Sequence, residues 1–406
     1  MAGFFPVMFK EYWSAGVDAS ISTARLGFAN SLAGILVALA APLLGAVADR
    51  TSAKKRFLFA FAAMGIASTV CLPMAGHGQW GLAGLLYALA LAGFLGGNVF
   101  YDSLLKTVSE GPSMDRVSSL GYAMGYLGGG LLFSVNVWMT LSPGTFGLGG
   151  AVDAVRFSFF TVGIWWALFS LPLLTLVHEP RAVSMGLGRM AAEGMAQLWG
   201  TFREIRHLKV IMVFLLAYWL YIDGVGTIIV MAVDYGLSLG FEQKDLILAL
   251  LMVQFTGFPC AIGFGRLAGY TGTKPAILIA LGVYLFVTLW GAFIESRHEF
   301  YIMALLIGMV QGGVQALSRS LYARIIPADK AAEFFGFYNV IGKFATIMGP
   351  VLVAATVLVA RAWGAGPDLA PRISISSIAV LFLAGGALLL FVDEKKGLSE
   401  RIFLEH

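Results

Sequence analysis

Long stretches of apolar residues, each broken by a short polar or basic turn, dominate the chain from end to end. A bilayer core about 30 Å thick needs roughly 20 apolar residues per helix. With that ruler the pattern predicts eleven full spans, near 27–47, 57–76, 80–104, 117–140, 157–177, 208–232, 247–267, 274–293, 300–323, 334–358 and 374–392. Ahead of them lies an apolar run, residues 1–9, too short to cross and without the basic start of a signal peptide. It reads as the outer half of a first helix whose beginning is missing. Counting that fragment, the chain follows a twelve-helix plan.

The longest connection, about 178–207, contains the amphipathic stretch Met185–Phe202, expected to lie along the membrane surface. It divides the chain into a six-helix half over 1–177 (first helix partial), a cytoplasmic linker over 178–207, and a second six-helix half with a short tail over 208–406.

Composition sharpens this reading. Only 12% of the 406 residues are charged and 59% are hydrophobic, with 50 Gly and 31 Phe. A soluble domain carries roughly twice that share of charge. Disordered, coiled-coil, collagen-like and disulfide-framework classes are excluded. The net charge of +4 does not point to nucleic acid, because basic residues in a membrane chain set topology. Nineteen of the 27 Lys and Arg lie in the connections on one side and in the tail from Lys395, seven lie on the other side, and Lys343 lies within a span. The basic side, with the C-terminus, is expected to be cytoplasmic. Cys71 and Cys260 fall in separate apolar segments, and the histidines do not cluster. No cofactor or metal is expected.

Two internal echoes mark the halves. Gly45-Ala-Val-Ala-Asp49-Arg50-Thr-Ser-Ala-Lys54-Lys55-Arg56 follows the second helix, and Gly265-Arg-Leu-Ala-Gly269-Tyr270-Thr-Gly272-Thr-Lys274 follows the eighth, without the Asp and Arg of the first copy. Tyr101-Asp102-Ser103 pairs with Ser318-Arg319-Ser320, each followed by a glycine-rich helix, from Gly121 and from Gly336. Six helices repeated in parallel describe a transporter architecture with its site between the halves at the midplane.

The stretch Gly45–Lys55 resembles the cytoplasmic signature of the major facilitator superfamily, G-x-x-x-D-R-x-[GS]-x-[KR]-[KR]. Gly45 permits close helix contact, Asp49 can cap a helix N-terminus, and Arg50 and Lys54 stay in the cytosol. A purely topological anchor is the alternative. Tyr221-Ile-Asp223-Gly224 and Gly312-Gly-Val-Gln315-Ala-Leu-Ser318-Arg319-Ser320, with Glu333-Phe-Phe-Gly336-Phe-Tyr338-Asn339, narrow the resemblance. They are similar to the branch that contains the yeast vacuolar amino-acid effluxer linked to autophagy and its bacterial relatives. The resemblance implies an all-α polytopic membrane protein of major facilitator fold working by alternating access. It also implies that Asp223 faces the cavity.

Ionisable groups inside spans are costly and therefore candidates for function. Asp223 is read as a proton carrier or as a fixed anion for a cationic substrate group, and a buried ion pair is the bland alternative. Lys343, with Asn339 one turn before it, could receive a substrate carboxylate, so that the pair Asp223 and Lys343 would suit a zwitterion; a packing role, with Lys343 reaching a backbone carbonyl or a neighbouring acid, is the alternative. Gln311, Gln315 and Arg319 form a polar stripe at spacing four. Tyr122 and Tyr126 form another, open equally to substrate contact and to aromatic packing. Asp102 and Arg319, with Gly45, Asp49, Arg50 and Lys54, are assigned to an inner gate; local pairing of Asp102 with Arg50 or Lys54, and of Arg319 with Glu333, is the simpler alternative. No Walker A or nucleophile-elbow motif is present.

The reading is therefore a non-enzymatic secondary transporter, monomeric, in a bacterial inner membrane. Its partners are a small-molecule solute, amino-acid-like, with protons as the coupling ion and the bilayer around it; export is favoured. A transporter of a siderophore, lipid or drug, and a non-transporting receptor or scaffold, remain the alternatives.

Overall fold

A computed structural model describes residues 4–111, 113–179, 187–204, 208–344, 348–366 and 369–404, and among them every regular element is a helix. After a short α1 (Phe5–Met8), which widens through Phe9–Trp13, come α2 (Ala19–Thr51), α3 (Lys54–Cys71), α4 (Trp80–Ser103), α5 (Ser113–Leu141) and α6 (Ala151–Leu176). The linker carries α7 (Leu187–Glu204). Then follow α8 (Lys209–Ser238), α9 (Gln243–Thr271), α10 (Thr273–Gly291), α11 (Arg297–Ile325), α12 (Ala331–Phe344), α13 (Met348–Ala362), α14 (Leu369–Ser377), α15 (Ala379–Leu390) and the tail helix α16 (Glu394–Leu404).

Ten helical stretches among the described residues are long and apolar enough to cross a membrane, and they coincide with ten of the eleven expected segments. The other expected segment is α5. Its 29 residues reach about 43 Å at the usual rise, but its first turns hold Ser113, Asp115 and Arg116 and its middle holds five glycines, which dilutes its hydropathy. The expected segment 334–358 comprises α12 and α13, and the segment 374–392 is pinched at Ile378 between α14 and α15, where bonds from Ile378 N to Ile375 O and from Leu381 N to Ile378 O tighten the turn. The amphipathic stretch expected over Met185–Phe202 is helical as α7 from Leu187; residues 180–186 and 205–207 lie outside the described residues.

Helix ends obey local chemistry. Asp18 accepts from Ser20 N at the start of α2, and the Ser20 hydroxyl and amide hold its carboxyl below the usual carboxylate range. Ser296 and Glu299 close a reciprocal cap on α11. Gly272, at φ +91°, turns the chain from α9 into α10 with no intervening loop.

The contacts divide the chain into two compact units. The first comprises 1–108, 131–200 and 329–340; the second comprises 109–130, 201–328 and 341–406. Each half of the chain thus lends one segment to the other unit: the first part of α5 packs with the second half, and the first part of α12 with the first half. Inside the first unit α3, α4 and α6 meet through Gly65, Gly93 and Gly163, which seat Trp166, the Gly65 backbone and Val70 respectively. In the second unit Gly308 and Gly313 of α11 seat Val253 and Phe264 of α9. Small residues at helix contacts are what packing without a hydrophobic drive between helices requires. Large apolar side chains such as Phe28, Leu39, Phe169, Leu176, Leu358 and Phe391 point outward, which suits a lipid environment.

Candidate functional site

In the first unit the signature builds a compact polar joint. Asp49, in the last turn of α2, accepts from the backbone amides of Ala332 (3.1 Å) and Glu333 (2.9 Å), the first turn of α12. Its carboxylate also meets Lys54 Nζ at 2.9 Å. The expected helix cap is therefore present, with the anion placed where free amides and the helix dipole favour it. One turn earlier Gly45 lies so close to α12 that a Cβ there would overlap the Ala332 carbonyl. Gly336 does the same against Pro42 and Ala41. Arg50 Nε donates to Gln197 Oε1 on α7 at 2.7 Å, and Gln197 Nε2 donates to Glu333 Oε2 at 2.7 Å. Asn339 Nδ2 donates to Asp102 Oδ2 at 3.1 Å and to Phe335 O. Lys54, a possible local partner for Asp102, pairs with Asp49, and Asn339 joins Asp102.

The second unit holds a joint of opposite construction. Its signature copy lacks the acid, and the carboxylate stands on α5 instead. Asp115 accepts from the Thr273 hydroxyl at 2.8 Å, at the first residue of α10, from the Ser320 hydroxyl, and from Arg324 Nη2 at 3.4 Å on α11. Gly265 sits against Ser119 and the Asp115 carbonyl as Gly45 sits against α12. From there α5 runs antiparallel to α11. Ser118 Oγ donates to Ala316 O; Arg319 donates to Ser118 Oγ (2.9 Å) and Ser118 O (3.0 Å), and its guanidinium lies over Tyr122 at 4.7 Å. Replacing Asp115 with alanine is expected to cost about 2–3 kcal/mol, because Arg324, Thr273 and Ser320 lose a buried acceptor together. The thermal midpoint of the purified protein measures this, and an unchanged midpoint would remove Asp115 as a structural anchor.

Further along the same pair of helices, Gln311 bonds to the Tyr126 phenol, and its Oε1 is buried without a partner among the described residues. The Tyr126 ring is seated between Gly257 and Gly312. Gln254 of α9 adjoins Gly129 and Gly130; it escaped the sequence reading because a lone amide in an apolar run carries no pattern. Gln315 is half-buried one turn from Gln311.

On α8, Asp223 is fully buried. Its two oxygens accept from Gly349 N at 3.1 and 3.0 Å, at the start of α13, and Thr227 Oγ1 lies 3.5 Å away. Asp223 thus accepts from the backbone of a membrane helix. Tyr221, two residues earlier, shares a 2.7 Å hydrogen bond with Ser318 of α11. Lys343 is half-buried in the last turn of α12. Asp223, Lys343, Gln311, Gln315, Tyr122 and Tyr126 all belong to the second unit, whereas Asn339 sits in the first with Asp102. Chemically, these second-unit residues offer amide and phenol groups, the buried Asp223 carboxylate and the Lys343 amine.

A family profile described as "Vacuole effluxer Atg22 like" matches residues 19–401. The MFS-type transporter YxiO of Bacillus subtilis is 36% identical over 393 residues, covering 96% of this chain and 90% of that relative. Autophagy-related protein 22 of Yarrowia lipolytica is 25% identical, covering 71% of this chain and 52% of the relative; the chain thus spans about half the length of that fungal protein. Among solved structures, the proton:xylose symporter XylE superposes with a TM-score of 0.74 at 16% identity, covering 100% of this chain and 94% of that one. FucP in the outward conformation gives 0.64 at 12%, covering 94% and 96%. At those identities the structures show the fold alone: that of the major facilitator superfamily.

Proposed function

This chain belongs to the vacuole effluxer Atg22-like family of major facilitator transporters, and from that membership we propose that it moves a small amino-acid-like solute across the membrane by alternating access, coupled to protons. It is a multi-pass integral membrane protein. Export is the favoured direction, and the basic ends of its helices face the cytoplasm of a bacterial inner membrane, in keeping with nineteen Lys and Arg on that side against seven.

The observation that carries the coupling is Asp223. A carboxylate fully buried in a spanning helix is expensive to keep, and here backbone amide bonds from the start of α13 hold it. Such a group can exchange its proton without losing an ion-pair partner of fixed charge. Lys343, in the same unit, supplies a cation for a substrate carboxylate. Gln311, Gln315, Tyr122 and Tyr126 supply neutral donors and acceptors. Breaking and remaking the Asp49 cap on α12 and the Asp115 joint is the gating event in this reading, with Gly45, Arg50, Lys54, Asp102 and Arg319 around them.

Proteoliposomes loaded with a pH-sensitive dye test the proposal. Amino acids, peptides and organic acids are added one at a time. A solute-evoked pH change is expected for amino acids; silence from amino acids alongside a response to another class would overturn the substrate assignment. Lys343→Ala should weaken carboxylate-bearing solutes about tenfold more than their amides, the value of one charge-assisted hydrogen bond. An equal loss for both would give Lys343 a packing role only.

A further inference from the structure

We propose that Gln197, on the linker helix α7, is a positioning residue of the transport cycle: it latches the contact between α2 and α12 and so sets how readily that contact opens. The inference rests on the alternating-access reading and adds to it an element that neither the signature nor the substrate groups contain.

Gln197 touches both sides of the joint at once. It accepts from Arg50, the residue after Asp49, and donates to Glu333, whose backbone amide Asp49 caps. It is 8% exposed and Glu333 is fully buried. Gln suits this place where neither acid nor base does. An amide accepts from a guanidinium and donates to a carboxylate together; Glu would repel Glu333, and Lys would repel Arg50. One turn earlier, Gly194 is pressed so closely onto Val47 of α2 that a Cβ would overlap its methyl group. The linker is tied at its start as well: Glu179 accepts from the amides of Lys54 and Lys55 at 2.8 and 3.0 Å. A passive tether between two six-helix halves needs none of these bonds.

The second unit supports the assignment independently, by internal repetition. Lys55, second residue of α3, donates to Val177 O just past the end of α6. Lys274, second residue of α10, donates to Leu390 O and Val392 O at the end of α15. In each unit a helix then follows: α7 in the first, α16 in the second. Gly397 of α16 packs on Ile325 and Val210, Glu400 accepts from Val210 N, and Glu394 lies 3.9 Å from Arg324, the partner of Asp115. Both post-span helices thus brace the polar joint of their own unit. Separating α12 from α2 requires one of the two Gln197 bonds to break along with those of Asp49. Anything that draws α7 away from the joint shortens the life of the closed contact.

The experiment uses the full chain with Cys71 and Cys260 replaced by serine and with Ala332→Cys, buried in the joint, as the reporter. The rate of N-ethylmaleimide labelling is measured without solute. Gln197→Ala is expected to raise the rate about tenfold, since opening breaks one of its two bonds and a bond to a charged group is worth about that factor. The pair Gln197→Glu with Glu333→Gln exchanges acceptor and donor and should return the rate to within about twofold of the parent. Met195→Ala, on the exposed side of α7, should change nothing. Asp49→Ala should label faster in any case if the joint opens at all. Fast labelling with Asp49→Ala and parental labelling with Gln197→Ala would overturn the latch and leave the gate standing. Parental labelling with both would overturn the gate reading and the latch with it.

Discussion

With asparagine in place of Asp223, solute-evoked proton movement is expected to disappear while the protein stays folded. Asn is nearly isosteric with Asp, and its amide oxygen can still accept from Gly349 N. The Gly349 amide therefore loses one of two acceptor atoms, a change of about 1–2 kcal/mol. What vanishes is the exchangeable proton. In the dye-loaded proteoliposomes the pH signal should fall to the level of empty vesicles, at least a hundredfold below the parent. Counterflow of labelled solute, which needs no net proton transfer, should persist within a few-fold. That split separates a proton carrier from a structural acid, whose loss would depress both. Proton movement undiminished in Asp223→Asn would remove it as the carrier.

The second large effect is steric. Gly45→Val should prevent α12 from seating on α2. The atoms in the way are the Ala332 carbonyl and the Glu333 amide nitrogen, which are backbone and cannot rotate aside. Overpacking of a well-fitted contact costs about 1–3 kcal/mol, and here it also pulls two amide donors away from Asp49. Hydrogen exchange at the Ala332 and Glu333 amides reads this directly. Protection is expected to drop about a hundredfold, as for two charge-assisted bonds, with transport lost in parallel. Full protection in Gly45→Val would mean that α12 still seats on α2, and would overturn the steric reading of Gly45.

How far these features were legible in the sequence depends on their range. The spans were legible because twenty consecutive apolar residues have few other uses, and α5 was the least distinct because its glycines and early charges dilute the signal. The Asp49 cap was legible because its spacing from Gly45 and the basic cluster is a pattern within twelve residues. Gln197 was not: its partners lie 147 and 136 positions away in opposite directions, and nothing local marks one glutamine in an amphipathic helix. Asp115 shows a subtler failure. The second signature copy reads as degraded, since its acid is gone, yet the joint survives because the carboxylate sits on the opposing helix. Charge complementarity can be met from either partner, and a single sequence shows only which residue is missing. Asp223 was legible as a costly buried acid, but its backbone partner Gly349 lies 126 positions away.

The exchange of segments between the two units bears on how the protein is made. The early part of α5 leaves the ribosome with Asp115 and Ser118 already in place, but Arg324 lies 209 residues further on. At about 5–20 residues per second, that acid waits roughly 10–40 seconds for its cation. The Asp49 carboxylate waits longer for the Glu333 amide, 284 positions downstream. A nascent first half thus carries polar groups at its basic end that only the second half can satisfy, so a stalled or truncated chain is an unfinished insertion substrate and a natural target for membrane quality-control proteolysis.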